Sequence, residues 1–256
     1  MQMKSPESTP PPDQYIYGPN QQNQPNNQNE QNEQNKQNQQ NQQIEEKTIR
    51  RPMIALTFDD GPSSHTEHIL DLLEQHGGRA TFFVLGYRAE RQKHTIKRAT
   101  ELGSEIANHT WSHARLTELD NESITQELTR TSQIIEQIVG HNPPIMRPPF
   151  GSTCPRVREV AGDLGYAVIN WTLDTSDWRY RDPNRIYNTI MNEVEDGSVI
   201  LMHDIHPTTA QAMIRVIPRL IYEGYELVTV SELLTYFYGE LEPGRLYGRS
   251  YESDED

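Results

Sequence analysis

Two short segments of the chain carry the residue types of a catalytic metal centre. Residues 57–62 read TFDDGP, and residues 109–113 read HTWSH. Asp60 offers a carboxylate oxygen, and His109 and His113 offer imidazole nitrogens, a mixed set that suits zinc or a neighbouring first-row ion. Three protein ligands leave a coordination position open, so the adjacent Asp59 remains available as a base. Each segment alone is equally explained by a solvated turn or by a chance pair of surface histidines.

A third segment, residues 147–151, reads RPPFG and is stiff because two prolines fix its backbone. Arg147 at its start could pair with a carboxylate of the metal centre and hold that group ionised and oriented. The alternative is a rigid loop that carries a surface arginine.

A fourth segment, residues 174–178, reads DTSDW and brings two carboxylates and an indole ring to a loop. Asp174 or Asp177 could orient Arg147 or His203, and Trp178 could wall an apolar pocket or stack on a sugar. Asx and ST turns would explain the same polar residues without any function.

A fifth segment, Leu201-Met202-His203, ends the most apolar strand pattern of the chain. A histidine there is well placed as a general acid, because its pKa lies near working pH. A satisfied core histidine is the alternative. His206 is a weaker candidate for the same role.

These segments must be positioned by a fold that occupies only part of the chain. Asn or Gln fills 20 of the 24 positions from 20 to 43, so residues 1–48 are predicted to be disordered. Residues 49–240 are predicted to form one catalytic domain, and residues 241–256 an acidic tail.

Since the net charge is −14, we expect no nucleic acid partner. No apolar run is long enough for a membrane span, no signal peptide is visible, and the single cysteine excludes an internal disulfide.

Short β-branched runs alternate with amphipathic stretches through the folded part, which predicts parallel strands and helices. The predicted strands are 53–58, 80–85, 105–108, 145–147, 167–172, 198–203 and 226–229. The predicted helices are 65–76, 90–102, 121–139, 155–164, 184–195 and 210–223.

Chemistry-bearing residues follow five of these strands, whereas an open sheet would concentrate them near one switch point. The sequence therefore favours an α/β fold that is a distorted or incomplete (β/α) barrel, with every strand end at one mouth.

In this order the five segments resemble the five motifs of polysaccharide deacetylases, carbohydrate esterase family four. The resemblance runs from about Pro52 to Leu234, and the run 199–207 is similar to the peptidoglycan N-acetylglucosamine deacetylase branch. It implies a divalent metal held by Asp60, His109 and His113, with zinc as the first choice and cobalt, nickel and manganese as alternatives.

The resemblance also implies the roles of the remaining residues. Asp59 would be the catalytic base, His203 the catalytic acid, and Arg147 the group that orients Asp59. Asp174 or Asp177 would tune the acid and base, while Leu201 and Trp178 would line the acetyl pocket. Many relatives have Tyr where this chain has Phe150, whose backbone N–H would stabilise the oxyanion.

The implied activity is hydrolysis of N-acetyl groups of N-acetylglucosamine units in a polysaccharide, with peptidoglycan as the first choice. This would place the enzyme outside the cell or at the cell wall. Chitin oligomers, another N-acetylated exopolysaccharide and acetylated xylan remain alternative substrates. A glycan-binding module without turnover is a hypothesis of another class, and such a module would be expected to lack the base or a ligand. The sequence does not indicate an oligomeric state.

Overall fold

The computed structural model describes residues 32–33, 35–36, 50–248 and 251–252, and the chain divides after Arg50 into two units. Most of the predicted disordered segment therefore lies outside the described residues, as do residues 253–256 of the predicted tail. Everything below concerns the unit from Arg51 onward. None of the described helices is both long enough and apolar enough to cross a membrane.

The second unit alternates strands and helices, as the sequence pattern predicts. Its strands are β1 (Met53–Asp59), β2 (Thr81–Val84), β3 (Glu105–Asn108), β4 (Ile145–Met146), β5 (Ser152–Thr153), β6 (Ala167–Ile169), β7 (Leu173–Asp174), β8 (Val199–His203), β9 (Glu226–Leu227), β10 (Leu246–Tyr247) and β11 (Tyr251–Glu252). Its α-helices are α1 (Thr66–His76), α2 (Gly86–Arg91), α3 (Lys93–Glu101), α4 (Asn121–Val139), α5 (Pro155–Asp163), α6 (Asp177–Tyr180), α7 (Pro183–Glu193), α8 (Pro207–Tyr222) and α9 (Val230–Tyr238).

The strands form a parallel sheet that curls into a distorted barrel, which confirms the predicted fold class. The strand order is β10-β6-β4-β3-β2-β1-β8-β7, and β9 pairs with the start of β1. Because β6 and β7 are separated only by residues 170–172, one bent segment pairs with β4 on one side and β8 on the other. The predicted single strand 167–172 is therefore two short strands, and its bend brings the two ends of the sheet together.

Alternation along β1 divides the core into an outer and an inner layer. Ile54, Leu56 and Phe58 pack against α1 and α8 outside the sheet, in a cluster with residues such as Leu70 and Met213. The intervening residues face inward, since successive side chains of a strand point to opposite sides. The inner cluster contains small side chains at Ala55, Ala107 and Ala167, which leave room for the polar groups of the site.

The helices mostly agree with the sequence prediction, with differences at their ends. The helix 121–139 has the predicted bounds, and the Asp120 side chain caps it by accepting a hydrogen bond from the Ser123 N–H at 2.8 Å. The predicted helix 90–102 is two helices, α2 and α3, that meet at Gln92. The sequence prediction omits α9, whose Thr229 and Glu232 form a reciprocal capping box.

The stretch predicted to be an acidic tail contributes to the sheet. Leu246 and Tyr247 pair with Val168 and Ile169 of β6, and Tyr247 is buried. The backbone of residues 251–252 pairs with β5. The fold therefore extends beyond the predicted domain end at residue 240, because an apolar pair flanked by turn residues is too short a signal to indicate a strand.

Candidate active site

A cavity of about 580 Å³ opens at the carboxyl ends of the strands. Nine of the eleven predicted site residues line it: Asp59, Asp60, His109, His113, Phe150, Asp174, Trp178, Leu201 and His203. The other two, Arg147 and Asp177, are fully buried and hydrogen bond to lining residues. The tertiary structure therefore brings the whole predicted set to one place, as expected when every strand end of a barrel faces the same mouth.

The adjacent carboxylates Asp59 and Asp60 share the mouth because the chain turns between them. Asp59 ends β1 and faces inward, and Asp60 adopts a left-handed backbone with φ 70°. Non-glycine residues visit this region rarely, and such strain often marks a functional site. In the parallel register, Asp59 lies opposite His203 of β8. The predicted base and the predicted acid are therefore neighbours across two paired strands.

Asp60, His109 and His113 offer ligand atoms that lie within 4.8 Å of one another. The Nε2 atoms of His109 and His113 lie 3.5 and 3.2 Å from Asp60 Oδ1. Among the described residues this buried oxygen has no hydrogen-bond partner, and leaving a buried oxygen unsatisfied costs free energy that a bound cation would recover. The two nitrogens and one oxygen suit zinc or another first-row ion, so the residues present fit a divalent metal.

Burial and neighbouring charges shift the pKa values of Asp60 and His113, and a hydrogen bond sets the tautomer of His109. Burial alone would raise the pKa of Asp60, but the rings of His109, His113 and His203 outweigh it and hold the pKa well below its usual range. Burial and the charge of His109 lower the pKa of His113. His109 Nδ1 lies 2.7 Å from the carbonyl oxygen of Arg147. Since a carbonyl only accepts, Nδ1 carries the proton, and Nε2 presents its lone pair to the metal position.

The two histidines belong to a compact loop, one of the two geometries that their spacing allows. Thr110 and His113 both have left-handed backbones, with φ 71° and 65°. The Asn108 side chain accepts from the Thr110 N–H at 2.8 Å and donates to the carbonyl of Leu128 on α4. Glu127 of the same helix accepts from the N–H groups of residues 111 and 112 at 2.9 and 2.8 Å. Sequence analysis missed Asn108 and Glu127, because their role depends on α4 packing beside β3.

Arg147 lies inside the barrel and fixes Asp59, the predicted base. Its Nη1 donates to Asp59 Oδ1 at 2.7 Å and to Thr57 Oγ1 at 2.8 Å, while Nε and Nη2 donate to carbonyls of residues 169 and 170. The guanidinium also stacks on Phe83, 4.0 Å from the ring centroid. A buried charge is tolerated only when it is paired and hydrogen-bonded, as here. Asp59 Oδ2 remains on the side of His109, 3.8 Å from Nε2.

His203 is held by Asp177, the second aspartate of the DTSDW segment. Asp177 Oδ1 lies 2.8 Å from His203 Nδ1, and Oδ2 accepts from the His203 N–H and from Thr209 Oγ1. Burial opposes the charge on the imidazole, but Asp177, helped by Asp59 and Asp60, raises the pKa of His203 to about 9. His203 is therefore protonated at neutral pH and can donate a proton through Nε2.

The remaining predicted residues form the walls of the cavity. Leu201 is buried, whereas Phe150 and Trp178 are half exposed. Phe150 adopts a left-handed backbone with φ 63°, and its ring packs 4.6 Å from that of His113. Asp174 lines the cavity and accepts from the Ser176 N–H at 2.7 Å. The interaction with His203 thus belongs to Asp177, while Asp174 forms an Asx turn.

Several residues near the cavity were not predicted. Trp171, Arg181, Ile205 and His206 complete the lining, although His206 had been noted as a weak candidate. Asp204 is fully buried behind the site, where its carboxylate accepts from Thr66 Oγ1. Burial and the charge of Asp60 raise the pKa of Asp204 to about 7. In the sequence, Asp204 is distinguished from a surface aspartate only by its position directly after His203.

Comparison with known proteins identifies a family for this arrangement. The polysaccharide deacetylase family profile matches residues 46–169. Peptidoglycan-N-acetylglucosamine deacetylase PgdA of Listeria monocytogenes is 39% identical over 203 residues, which are 78% of this chain and 42% of that protein. Peptidoglycan-N-acetylmuramic acid deacetylase PdaC of Bacillus subtilis is 41% identical over 192 residues, 74% of this chain and 40% of that protein. The chain thus spans less than half of each relative.

Solved structures show the same fold over nearly their whole length. The structure of Bacillus subtilis PdaC aligns with a TM-score of 0.69 at 41% identity, covering 72% of this chain and 90% of that one. A family 4 acetyl xylan esterase from Clostridium thermocellum, in complex with a cobalt ion, aligns with a TM-score of 0.71 at 32% identity. That alignment covers 77% of this chain and 98% of the esterase chain.

Proposed function

Because the chain belongs to the polysaccharide deacetylase family, carbohydrate esterase family four, we propose that it hydrolyses the N-acetyl group of N-acetylglucosamine units in peptidoglycan. The observation that carries this proposal is a single constellation. The ligand set of Asp60, His109 and His113 lies beside the arginine-bound base Asp59, which faces the protonated His203 across the β1–β8 register. The names of the relatives support peptidoglycan as the glycan. The proposed place of action is the cell wall.

A divalent metal held by Asp60, His109 and His113 supplies Lewis-acid chemistry when bound, namely acidification of water and polarisation of a carbonyl. Family 4 enzymes are metal-dependent, and the cobalt complex of the esterase supports an ion of this type here. Zinc is our first choice, because two imidazoles and one carboxylate with an open position form a typical catalytic zinc set. Cobalt, nickel and manganese remain the alternatives.

In the proposed reaction, the protein groups move two protons. Asp59 accepts a proton from the attacking water through Oδ2, since Arg147 occupies Oδ1. Oxygen then bonds to the acetyl carbon, and the backbone N–H of Phe150 stabilises the resulting oxyanion. His203 donates its proton to the sugar nitrogen as the carbon–nitrogen bond breaks, so acetate and a free amine leave. Asp177 keeps His203 protonated for this step, and Leu201 and Trp178 hold the acetyl methyl group.

The direct test is acetate release by metal-analysed protein. Peptidoglycan, N-acetylglucosamine oligomers and acetylated xylan are each incubated with the protein, before and after a chelator and after zinc, cobalt, nickel or manganese is restored. We expect acetate release that is highest on peptidoglycan, lost with the chelator and restored by at least one metal. Glycan binding that survives the chelator without any acetate release would instead favour a binding module, and higher activity on xylan would overturn the substrate assignment.

A further inference from the structure

A segment that contributes to the cavity lining is rich in arginine, although the chain as a whole has a net charge of −14. Residues 177–185, here called the arginine segment, contain Arg179, Arg181 and Arg185. Among the described residues, no carboxylate forms a salt bridge with any of the three within 4.0 Å. The two aspartates of the segment are engaged elsewhere, because Asp177 binds His203 and Asp182 accepts from the Asn184 N–H.

Arg181 is the member of the arginine segment that lines the cavity, and it is the one Arg or Lys in the described lining. Two contacts hold its guanidinium in place. Nε donates to the Trp178 carbonyl at 2.8 Å, and Nη1 donates to His206 Nδ1 at 2.8 Å. These contacts use two of the five N–H groups of a guanidinium, and its fork geometry suits a carboxylate.

The partner of Arg181 is itself fixed. His206 is buried, and burial together with the charge of Arg181 lowers the pKa of His206, against the opposing charge of Asp177. A neutral imidazole accepts at Nδ1, so it orients Arg181 without neutralising its charge. The Arg181 backbone is left-handed, with φ 51°, and the residue lines the cavity where a glycan would lie.

Neighbouring residues extend the same surface away from the cavity. The guanidinium groups of Arg179 and Arg185 lie 5.3 and 3.4 Å from the ring centroid of Tyr180, which is 41% exposed. Half-exposed Trp178, which precedes Arg179 in the chain, is itself a lining residue of the cavity. Aromatic faces beside arginines suit a sugar chain that carries negative groups. Apart from Arg181, Asp174 is the one Asp, Glu, Lys or Arg of the described lining that belongs neither to the metal centre nor to the acid–base pair.

We propose that Arg181 binds a carboxylate of the glycan beside the sugar whose acetamide is cleaved, which makes the enzyme selective for carboxylate-bearing glycans over neutral ones. This inference rests on the proposed function and specifies its substrate class. In a peptidoglycan strand the carboxylate has two sources, the lactyl group on alternate sugars and the stem peptide. Neutral chitin oligomers and acetylated xylan lack both.

The test compares two glycans that differ only in this charge. Peptide-free peptidoglycan strands with free lactyl carboxylates form one substrate, and the same strands after conversion of the carboxylates to amides form the other. Wild-type protein is expected to show a kcat/KM about tenfold higher on the carboxylate form, the value of one charge-assisted hydrogen bond. High salt should reduce this ratio, because the contact is at an exposed rim. Strands that retain their stem peptides test the second source. If Arg181 binds a carboxylate of the stem peptide, the carboxylate-to-amide ratio of kcat/KM should be higher on these strands than on the peptide-free strands.

Variants assign the preference to Arg181. Arg181→Gln is expected to bring the carboxylate-to-amide ratio close to one, and Arg181→Lys to give an intermediate ratio because it keeps the charge without the fork. Arg215→Gln, which removes an exposed arginine of α8 outside the cavity lining, is the matched control and should keep the wild-type ratio. Metal content and thermal unfolding are measured for each variant.

The outcomes separate this inference from the proposed function. Failure of the wild-type protein to release acetate from either glycan would contradict the proposed function itself. Release with a ratio near one on both the peptide-free and the peptide-bearing strands, insensitive to salt, would contradict only the role of Arg181, and this result needs no variant. An equal loss on both substrates in Arg181→Gln would also overturn the inference, because it would show that Arg181 acts only by positioning His206.

Discussion

At the scale of single residues, the proposed base and the proposed acid differ because the carboxylates Asp59 and Asp177 have different partners. Asp59 forms an ion pair with the buried Arg147. Asp177 instead pairs with His203, and the negative charge of Asp177 stabilises the proton on that imidazole. The first carboxylate faces the position of the Asp60, His109 and His113 ligand atoms, and the second lies behind the His203 imidazole. In the proposed mechanism, two chemically identical side chains therefore serve opposite proton transfers, because their neighbours differ.

Replacement of Asp59 by Asn tests the assignment of the base. The amide keeps the size of the carboxylate but does not accept a proton, so we expect kcat to fall by about two to four orders of magnitude. Metal content should be retained, because Asp60, His109 and His113 are unchanged. The measurement is acetate release together with metal analysis of the same sample. A variant with full metal and undiminished turnover would refute this role.

The pH dependence of kcat tests the acid. As the proposed acid, His203 would act only when protonated, and its pKa is raised to about 9, so we expect activity to be retained through neutral pH and lost as pH rises through about 9. Asp177→Asn removes the main group that raises this pKa, and burial then lowers it. The alkaline limb of the kcat profile should therefore move to lower pH in the variant. An alkaline limb at the same pH in both proteins would show that another group sets it.

At the scale of elements, the turn after β1 depends on close packing against the turn after β8. A Cβ added at Gly61 would lie 2.3 Å from both carboxylate oxygens of Asp204, which is fully buried. Ser63 Oγ donates to the Asp204 carbonyl, and Thr66 Oγ1 donates to its carboxylate. The start of α1 and the end of β8 are thereby tied together next to Asp60. Only glycine allows the metal-binding turn to sit this close.

Gly61→Ala is expected to destabilise the fold by about 1–3 kcal/mol, the range for overpacking a fixed core. It should also weaken metal binding, because the displaced turn carries Asp60. Thermal unfolding and a metal titration measure the two effects. Gly77→Ala is the control, since its added methyl group meets nothing within 4 Å and only its positive φ opposes it. The control should cost about 1 kcal/mol and leave metal affinity intact. Equal metal affinity in both variants would contradict the packing argument.

At the scale of the whole molecule, the barrel depends on residues beyond the last predicted helix. The Tyr247 side chain is buried in the inner core, and the carbonyls of Arg245 and Tyr247 accept from the N–H groups of Val168 and Asn170. These bonds fix the bent segment between β6 and β7. That segment also supplies Trp171 to the cavity and carbonyls to Arg147.

A chain that ends at residue 240 is therefore expected to be less stable than one that ends at residue 248. The loss of one buried tyrosine and two backbone hydrogen bonds corresponds to about 3–5 kcal/mol. For a domain of this size that lowers Tm by roughly 6–20 °C. Differential scanning calorimetry of the two chains measures the difference. Equal Tm values would show that residues 241–248 contribute nothing to the fold.

The sequence by itself determined the residue types of the site and the fold class. The acid pair, the two histidines, the arginine of the RPPFG segment and the strand-end histidine are all visible as local runs, and alternating strands and helices suffice to indicate a parallel barrel. These features can be read locally, because a strand of five to seven residues and the turn that follows it are encoded by consecutive residues.

Only the tertiary structure decided which groups share a partner. The choice of Asp177 over Asp174 as the partner of His203, the support of the histidine loop by Glu127, and the packing of Asp204 on Gly61 all join residues distant in the chain. The same holds for the arginine segment, because a net charge of −14 predicts an acidic surface whereas folding places Arg181 in the cavity lining. Composition sums charges over the whole chain, but a ligand meets only those that folding brings to one mouth.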